Sequence, residues 1–190
     1  MALSRIDFFR NLIKDKYIIL MDQVLLSVIN FGAILLLSKI AGVTAFSDFV
    51  VTYSYVYFIF IFATYLLSAP ILVFLSKKWH SLEGSYLMVC LLLNILISVL
   101  FSCILFYFLK QQIPSIQLFP FIILSVSMSV FDILKKFIFA SSSIRVKYGF
   151  YATIVLNLLF FGLMLIYMHK LDLTHILYIY GIAFSTGSVL

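Results

Sequence analysis

Long uncharged runs alternate with short charged breaks along this chain. Asp48 and Lys77 enclose 28 residues without a charge, and Glu83 and Lys110 enclose 26. Lys110 and Asp132 enclose 21, and Lys147 and Lys170 enclose 22 with His169 neutral. A helix needs about 20 apolar residues to cross about 30 Å of hydrocarbon, and each run meets that length. An earlier run spans about 17–40, with Asp22 inside its start and Lys39 at its end. The last run, after Asp172, has 18 residues and stops at Leu190 without a polar flank.

The pattern predicts an all-α, polytopic membrane bundle of about six transmembrane helices. Their expected bounds are about 17–40, 46–75, 85–109, 116–139, 148–168 and 174–190, in one bundle over 1–190 with the sixth helix cut short. The stretch YSYVYFIFIF (53–62) favours a strand by propensity. Open strands leave backbone groups unsatisfied in lipid, so the run reads as helix. Pro70 is expected to kink the second helix near its end. Pro120 is expected in the first turns of the fourth, where a missing N–H matters least. A cleavable signal peptide is the rival for the first run, with Val43-Thr44-Ala45 as a loose cleavage site. The run is too long for that reading and contains Asp22.

Composition agrees with the pattern. The 190 residues are 65% hydrophobic and 11% charged. Soluble domains carry roughly 25% charged residues, and a soluble chain of this size has no interior for so much apolar surface. The net charge of +6 sits between apolar runs, which suits loops at an anionic leaflet and not a nucleic-acid surface. With a cytoplasmic N-terminus, ten of the 13 Lys and Arg residues fall on the inside and Lys39, Lys110 and Lys170 fall outside. The positive-inside rule favours that orientation. Tyr17, Trp79, Tyr86, Tyr107, Tyr148 and Tyr167 lie near span ends, as an interfacial aromatic belt does. Cys90 and Cys103 share one run and would sit about 20 Å apart on a helix, too far for a disulfide.

The polar residues inside the runs are the candidate chemistry. At 3.6 residues per turn, Gln23, Ser27, Asn30, Ile34 and Ser38 form one stripe on the first helix. One reading is hydrogen-bonding glue between helices, worth about 0.6–2 kcal/mol per contact. The other is the wall of a wet cavity, which an intramembrane ionisable residue supports. Asp22, about 9 Å along the axis from Lys16, is a cavity candidate at the cytoplasmic end of this stripe, or else simply reaches interfacial water. On the fourth helix, Ser125, Ser129, Asp132 and Lys136 share a face. Asp132 is spaced to pair with Lys136, with Lys135 also in reach. Lys135, Lys136, Arg145 and Lys147 surround three serines in KKFIFASSSIRVKYGF (135–150). They suit either a phosphate headgroup or plain topology determination. No catalytic set converges in the sequence. Glu83 is the only glutamate, His80, His169 and His175 are scattered, and no metal-ligand spacing occurs. Neither a catalytic role, a metal nor a cofactor is expected.

The segment DQVLLSVINFGAILLLSKIAGVTAFSDFVV resembles the first helix and first loop of polysaccharide-export flippases of the multidrug/oligosaccharidyl-lipid/polysaccharide superfamily. The residues that carry it are Asp22-Gln23, Ser27, Asn30-Phe31, Gly42, Phe46 and Phe49. FDILKKFIFASSSIRVKYGF is similar to that family's fourth-helix end and basic inner loop. The resemblance implies translocation of a lipid-linked oligosaccharide or related polysaccharide precursor across the bacterial inner membrane, by alternating access and without catalysis. It implies membrane lipid and a lipid-linked glycan as partners. It also implies a second six-helix lobe, in a longer chain or as a homodimer. Relatives carry 12 to 14 helices, so six suggest an N-terminal lobe. The competing class is a non-transporting scaffold subunit of a glycan-assembly complex; a membrane-embedded transferase is third.

Overall fold

The computed structural model describes the backbone of residues 2–68, 83–141, 143–167 and 172–189. It describes the side chains of residues 16–28, 30–67, 84–139, 147–167 and 172–188. Among the described residues the regular structure is helix alone: α1 (Ala2–Ile40), α2 (Val43–Ala63), α3 (Glu83–Gln112), α4 (Leu118–Ser141), α5 (Ser143–Tyr167) and α6 (Leu173–Val189). Five of them contain stretches long and apolar enough to cross a membrane, and α6 has only 17 residues. The YSYVYFIFIF segment is helical within α2.

The expected bounds shift in three places. Helix α1 begins at Ala2, so the polar N-terminal segment continues the helix ahead of the apolar run. Helix α2 runs directly into a π-helical turn, Thr64–Ser68. This turn ends two residues before Pro70 in the sequence. The expected kink at Pro70 itself lies outside the described residues. The basic inner loop expected over 135–147 is largely helical: α4 runs to Ser141 and α5 starts at Ser143. Pro120 is the third residue of α4, in its first turn as expected.

Helix α4 is the axis of the bundle, packed against α2, α3, α5 and α6. Helix α1 lies mainly on α5 and touches α2 only narrowly. Small residues draw α6 onto α4. A Cβ on Gly181 would stand 2.7 Å from Ile123 Cγ2, and one on Gly187 would stand 2.9 Å from Phe131 Cε2. Ser127 and Ser185 join hydroxyls at 2.7 Å across the same contact. Membrane helices pack in this way because lipid gives apolar side chains no reason to leave it, so close approach and hydrogen bonds decide which faces meet.

Helix α3 shows the resulting inside-out pattern. Asn94, Ser98 and Ser102 are fully buried, whereas Leu92, Leu96, Leu100 and Ile104 are more than half exposed. Apolar packing is not absent. Tyr180, Phe49 and Phe160 are fully buried and in ring contact, with centroids 5.4 Å apart for Phe49–Tyr180 and 4.4 Å for Phe160–Tyr180. They join α2, α5 and α6. Cys90 and Cys103 are both free thiols.

The connections put the α1 C-terminus, the α3–α4 turn and the start of α6 at one end of the bundle. Lys110 Nζ donates to the carbonyls of Pro114 at 2.6 Å and Ile116 at 3.0 Å, closing the α3–α4 turn. Asp22, Thr64, Lys135 and Gly149 lie toward the opposite end. That end carries the polar cluster considered next.

Candidate functional site

A groove of about 220 Å³ lies where α1 diverges from α2 over the axis helix. Gln23, Leu26, Ser27 and Asn30 of α1 form one wall, and Tyr57 and Phe60 of α2 form the other. Its floor is α4, through Met128, Phe131, Asp132, Lys135, Lys136 and Phe139, with Phe184 of α6 behind. Two candidate sets that lie far apart in sequence, the α1 stripe and the end of α4, therefore share one cavity.

The charges of the groove are arranged as two ion pairs. Lys136 Nζ lies 2.7 Å from Asp132 Oδ2, the local i,i+4 pair that the sequence spacing suggests. Thr64 Oγ1, from the π-helical turn, donates to the same carboxylate oxygen at 3.0 Å. The second pair is tertiary. Lys135 Nζ lies 2.5 Å from Asp22 Oδ2, and both side chains are buried. Thr153 Oγ1 donates to Asp22 Oδ1 at 2.6 Å. Asn157 in turn donates to the Thr153 carbonyl at 2.8 Å, one turn further along α5. The Lys135 ammonium is flanked by the Phe131 and Phe139 rings, 5.4 and 5.7 Å from their centroids. Three helices, α1, α4 and α5, thus meet at one carboxylate.

This geometry corrects two expectations. Asp22 neither lines the groove nor reaches interfacial water: it is 0% exposed, because Lys135 and Thr153 close over it from two helices. Lys135 forms its ion pair across to Asp22 of α1, while Asp132, the acid nearest in sequence, pairs with Lys136. It is not a loop cation.

The remaining candidates divide. Asn30 faces the groove, and its Oδ1 accepts the Tyr53 hydroxyl at 3.0 Å, tying α1 to α2. Ser27 lines the groove with its hydroxyl donated back to the Gln23 carbonyl at 2.9 Å. Ser38 is exposed beyond the groove and back-bonds to the Leu35 carbonyl. Ser125 and Ser129 do not line the groove. They are buried, with Ser125 bonded to the Phe121 carbonyl and Ser129 engaged with α3. Lys147 is exposed at the start of α5, and the Arg145 side chain lies outside the described residues. Thr153, Asn94 and Ser98, which complete the polar network, were not candidates on sequence grounds. Their signal was a polar residue every fourth position: Cys90, Asn94, Ser98 and Ser102 on α3, and Thr153 and Asn157 on α5.

Among the described residues, no group of three His, Cys, Asp or Glu side chains lies together to hold a metal ion. The groove offers amide, hydroxyl, carboxylate and ammonium groups in a partly aromatic wall. That chemistry suits a polar or anionic ligand. No family model matches the chain, and neither a curated protein nor a solved structure matches it.

Proposed function

We propose that this chain is one lobe of an alternating-access carrier. Its cargo would be a lipid-linked oligosaccharide or related polysaccharide precursor, moved across the bacterial inner membrane without catalysis. The observation that carries the reading is the groove itself. Gln23, Ser27 and Asn30 of α1 face Asp132, Lys135 and Lys136 of α4 across about 220 Å³, inside helices otherwise suited to lipid. Polar and ionisable side chains at such depth mark substrate pathways. The resemblance of residues 22–51 to export flippases supplies the cargo class. In this reading a second six-helix lobe, in a longer chain or as a second copy, closes the exposed side of the groove, since alternating access needs two opposed walls. The N-terminus is cytoplasmic, so the groove opens inward, where Lys and Arg concentrate.

The test is glycan export in a flippase-deficient strain, normalised to membrane-inserted protein. Asn30→Leu and Lys136→Ala should abolish export at normal abundance, while Ser38→Ala, beyond the groove, should leave it intact. Wild-type export per molecule in the first two variants would overturn the reading. Reporter fusions after residues 78 and 110 should fall on opposite sides, the first of them cytoplasmic.

A further inference from the structure

We propose that the Asp22–Lys135 pair is a releasable latch on α1, opened when a phosphoryl oxygen entering the groove takes over the Lys135 ammonium. The proposal rests on the groove being a binding surface, and adds how occupancy would be signalled.

Lys135 is the residue with access to both sides. It belongs to the groove floor, and its ammonium reaches through to Asp22 behind that floor. Asp132 is differently placed: Lys136 and Thr64 hold it from its own helix and from the π-helical turn. An anion reaching the α4 floor therefore meets two adjacent lysines, and one of them, Lys135, bridges to α1. A phosphoryl group carries more charge and more acceptor oxygens than one carboxylate. It can accept charge-assisted bonds from both ammonium groups. On the neutral wall, the Gln23 and Asn30 side-chain amides are donors of the kind that bind its remaining oxygens.

Losing Lys135 would change the position of Asp22. The carboxylate would keep the Thr153 hydroxyl and lose its cation while still enclosed. An uncompensated buried charge is strongly unfavourable. Helix α1 is the element free to respond, because it rests mainly on α5 and touches α2 narrowly. Moving its cytoplasmic half outward returns Asp22 to water. The ligand thus binds the released state better than the latched one, which is what a ligand-driven shift requires.

The experiment is a spin-label distance measurement on the full 190-residue chain in nanodiscs. Labels go on Tyr17→Cys of α1 and Ser85→Cys of α3, both exposed, in a Cys90→Ala, Cys103→Ser background. Inorganic pyrophosphate added to phosphatidylcholine discs should shift the distance distribution, with chloride at matched ionic strength giving no shift. If only discs containing phosphatidic acid show the shift, the trigger is a lipid headgroup and not free phosphate; either result supports the latch. No shift in either arm overturns it. Lys135→Gln should show the shifted distance without ligand and no response, whereas Lys135→Arg should restore the latched distance and the response. Should Lys135→Gln fail to fold, the double variant Asp22→Asn/Lys135→Gln removes both charges and should stay latched and unresponsive. A wild-type response from it overturns the proposal. Export data separate the two readings: a responsive latch without glycan export sinks the carrier and keeps the latch, and export without response does the reverse.

Discussion

Asn94 of α3 donates its carboxamide to the Ser129 hydroxyl of α4 at 3.0 Å, in a fully buried contact. Ser129 passes its own proton to the Ser125 carbonyl at 2.9 Å, so its lone pairs serve both Asn94 and Ser98, the latter at 3.1 Å. The contact converts the Ser125/Ser129 face of α4 from a cavity wall into a helix seam. A double-mutant cycle on Asn94→Leu and Ser129→Ala should give a coupling of about 0.5–1.5 kcal/mol, the range of interhelical hydrogen bonds in membranes. Ser129→Ala alone should be the worse of the two single variants, since it leaves the buried amide unpaired. Reversible unfolding in bicelles measures all four species, and a coupling of zero would contradict the seam.

The helices were legible because charge is excluded from hydrocarbon, so the breaks at Asp48, Glu83, Lys110, Asp132 and Lys147 mark out the runs. The Asp132–Lys136 pair was legible for the same local reason: its spacing is one helical turn. The Asp22–Lys135–Thr153 meeting was not, because nothing in the three separate segments says which helix faces which. Without that, Asp22 six residues past Lys16 reads as an interfacial acid. Asn94, Ser98 and Ser102 stood in plain view at every fourth position, yet an aliphatic helix draws attention to its Leu and Ile. In a membrane the informative face is the polar minority, here the buried one.

Buried pairs respond asymmetrically to substitution. Lys135→Met leaves Asp22 charged and enclosed, and should lower stability by about 3–5 kcal/mol. Asp22→Asn combined with Lys135→Met removes both charges and keeps a group able to accept from Thr153. It should recover most of that loss. Thermal denaturation in detergent compares them directly. A double variant as unstable as Lys135→Met would mean that the pair does not supply the missing compensation.

Two glycines in the same bundle should behave oppositely. A Cβ on Gly181 would meet Ile123 Cγ2 at 2.7 Å and the Leu124 backbone nitrogen at 3.6 Å. A β-branched side chain has little rotamer freedom in a helix, so α4 and α6 must separate. Gly181→Ala should cost about 1–3 kcal/mol, as overpacked cores do. Gly162 of α5 has nothing within 4 Å of such a Cβ. Gly162→Ala should raise stability by about 0.5–1 kcal/mol through helix propensity. Equal effects at the two positions would argue against the close α4–α6 approach.

At the opposite end from the groove, Asp172 caps α6. Its Oδ1 accepts the His175 backbone N–H at 2.8 Å, at the third helical position where an N-cap side chain bonds, and the His175 ring nitrogen lies 2.6 Å from the same oxygen. Partial burial alone would raise the carboxyl's pKa. The His175 backbone and ring, with the Thr174 N–H, outweigh it and hold Asp172 below the ordinary aspartate value of 3.8. A depressed acid contributes stability that is fully present above its unfolded pKa and disappears as pH falls through the lower folded value. The window therefore opens just under 3.8 and extends downward. The side chain is 64% exposed, so solvent screening limits the contribution to about 0.3 kcal/mol, and the titration itself is the better readout. Carboxyl carbon shifts of labelled Asp172, followed from about pH 6 to about pH 2, should give a midpoint below 3.8. His175→Ala should move that midpoint upward by removing the ring while leaving the backbone N–H in place. Asp172→Asn keeps an N-cap and should remove only this residue's small share of the acid-dependent stability. A wild-type midpoint at or above 3.8, or one unmoved by His175→Ala, would show that the imidazole does not hold the carboxylate.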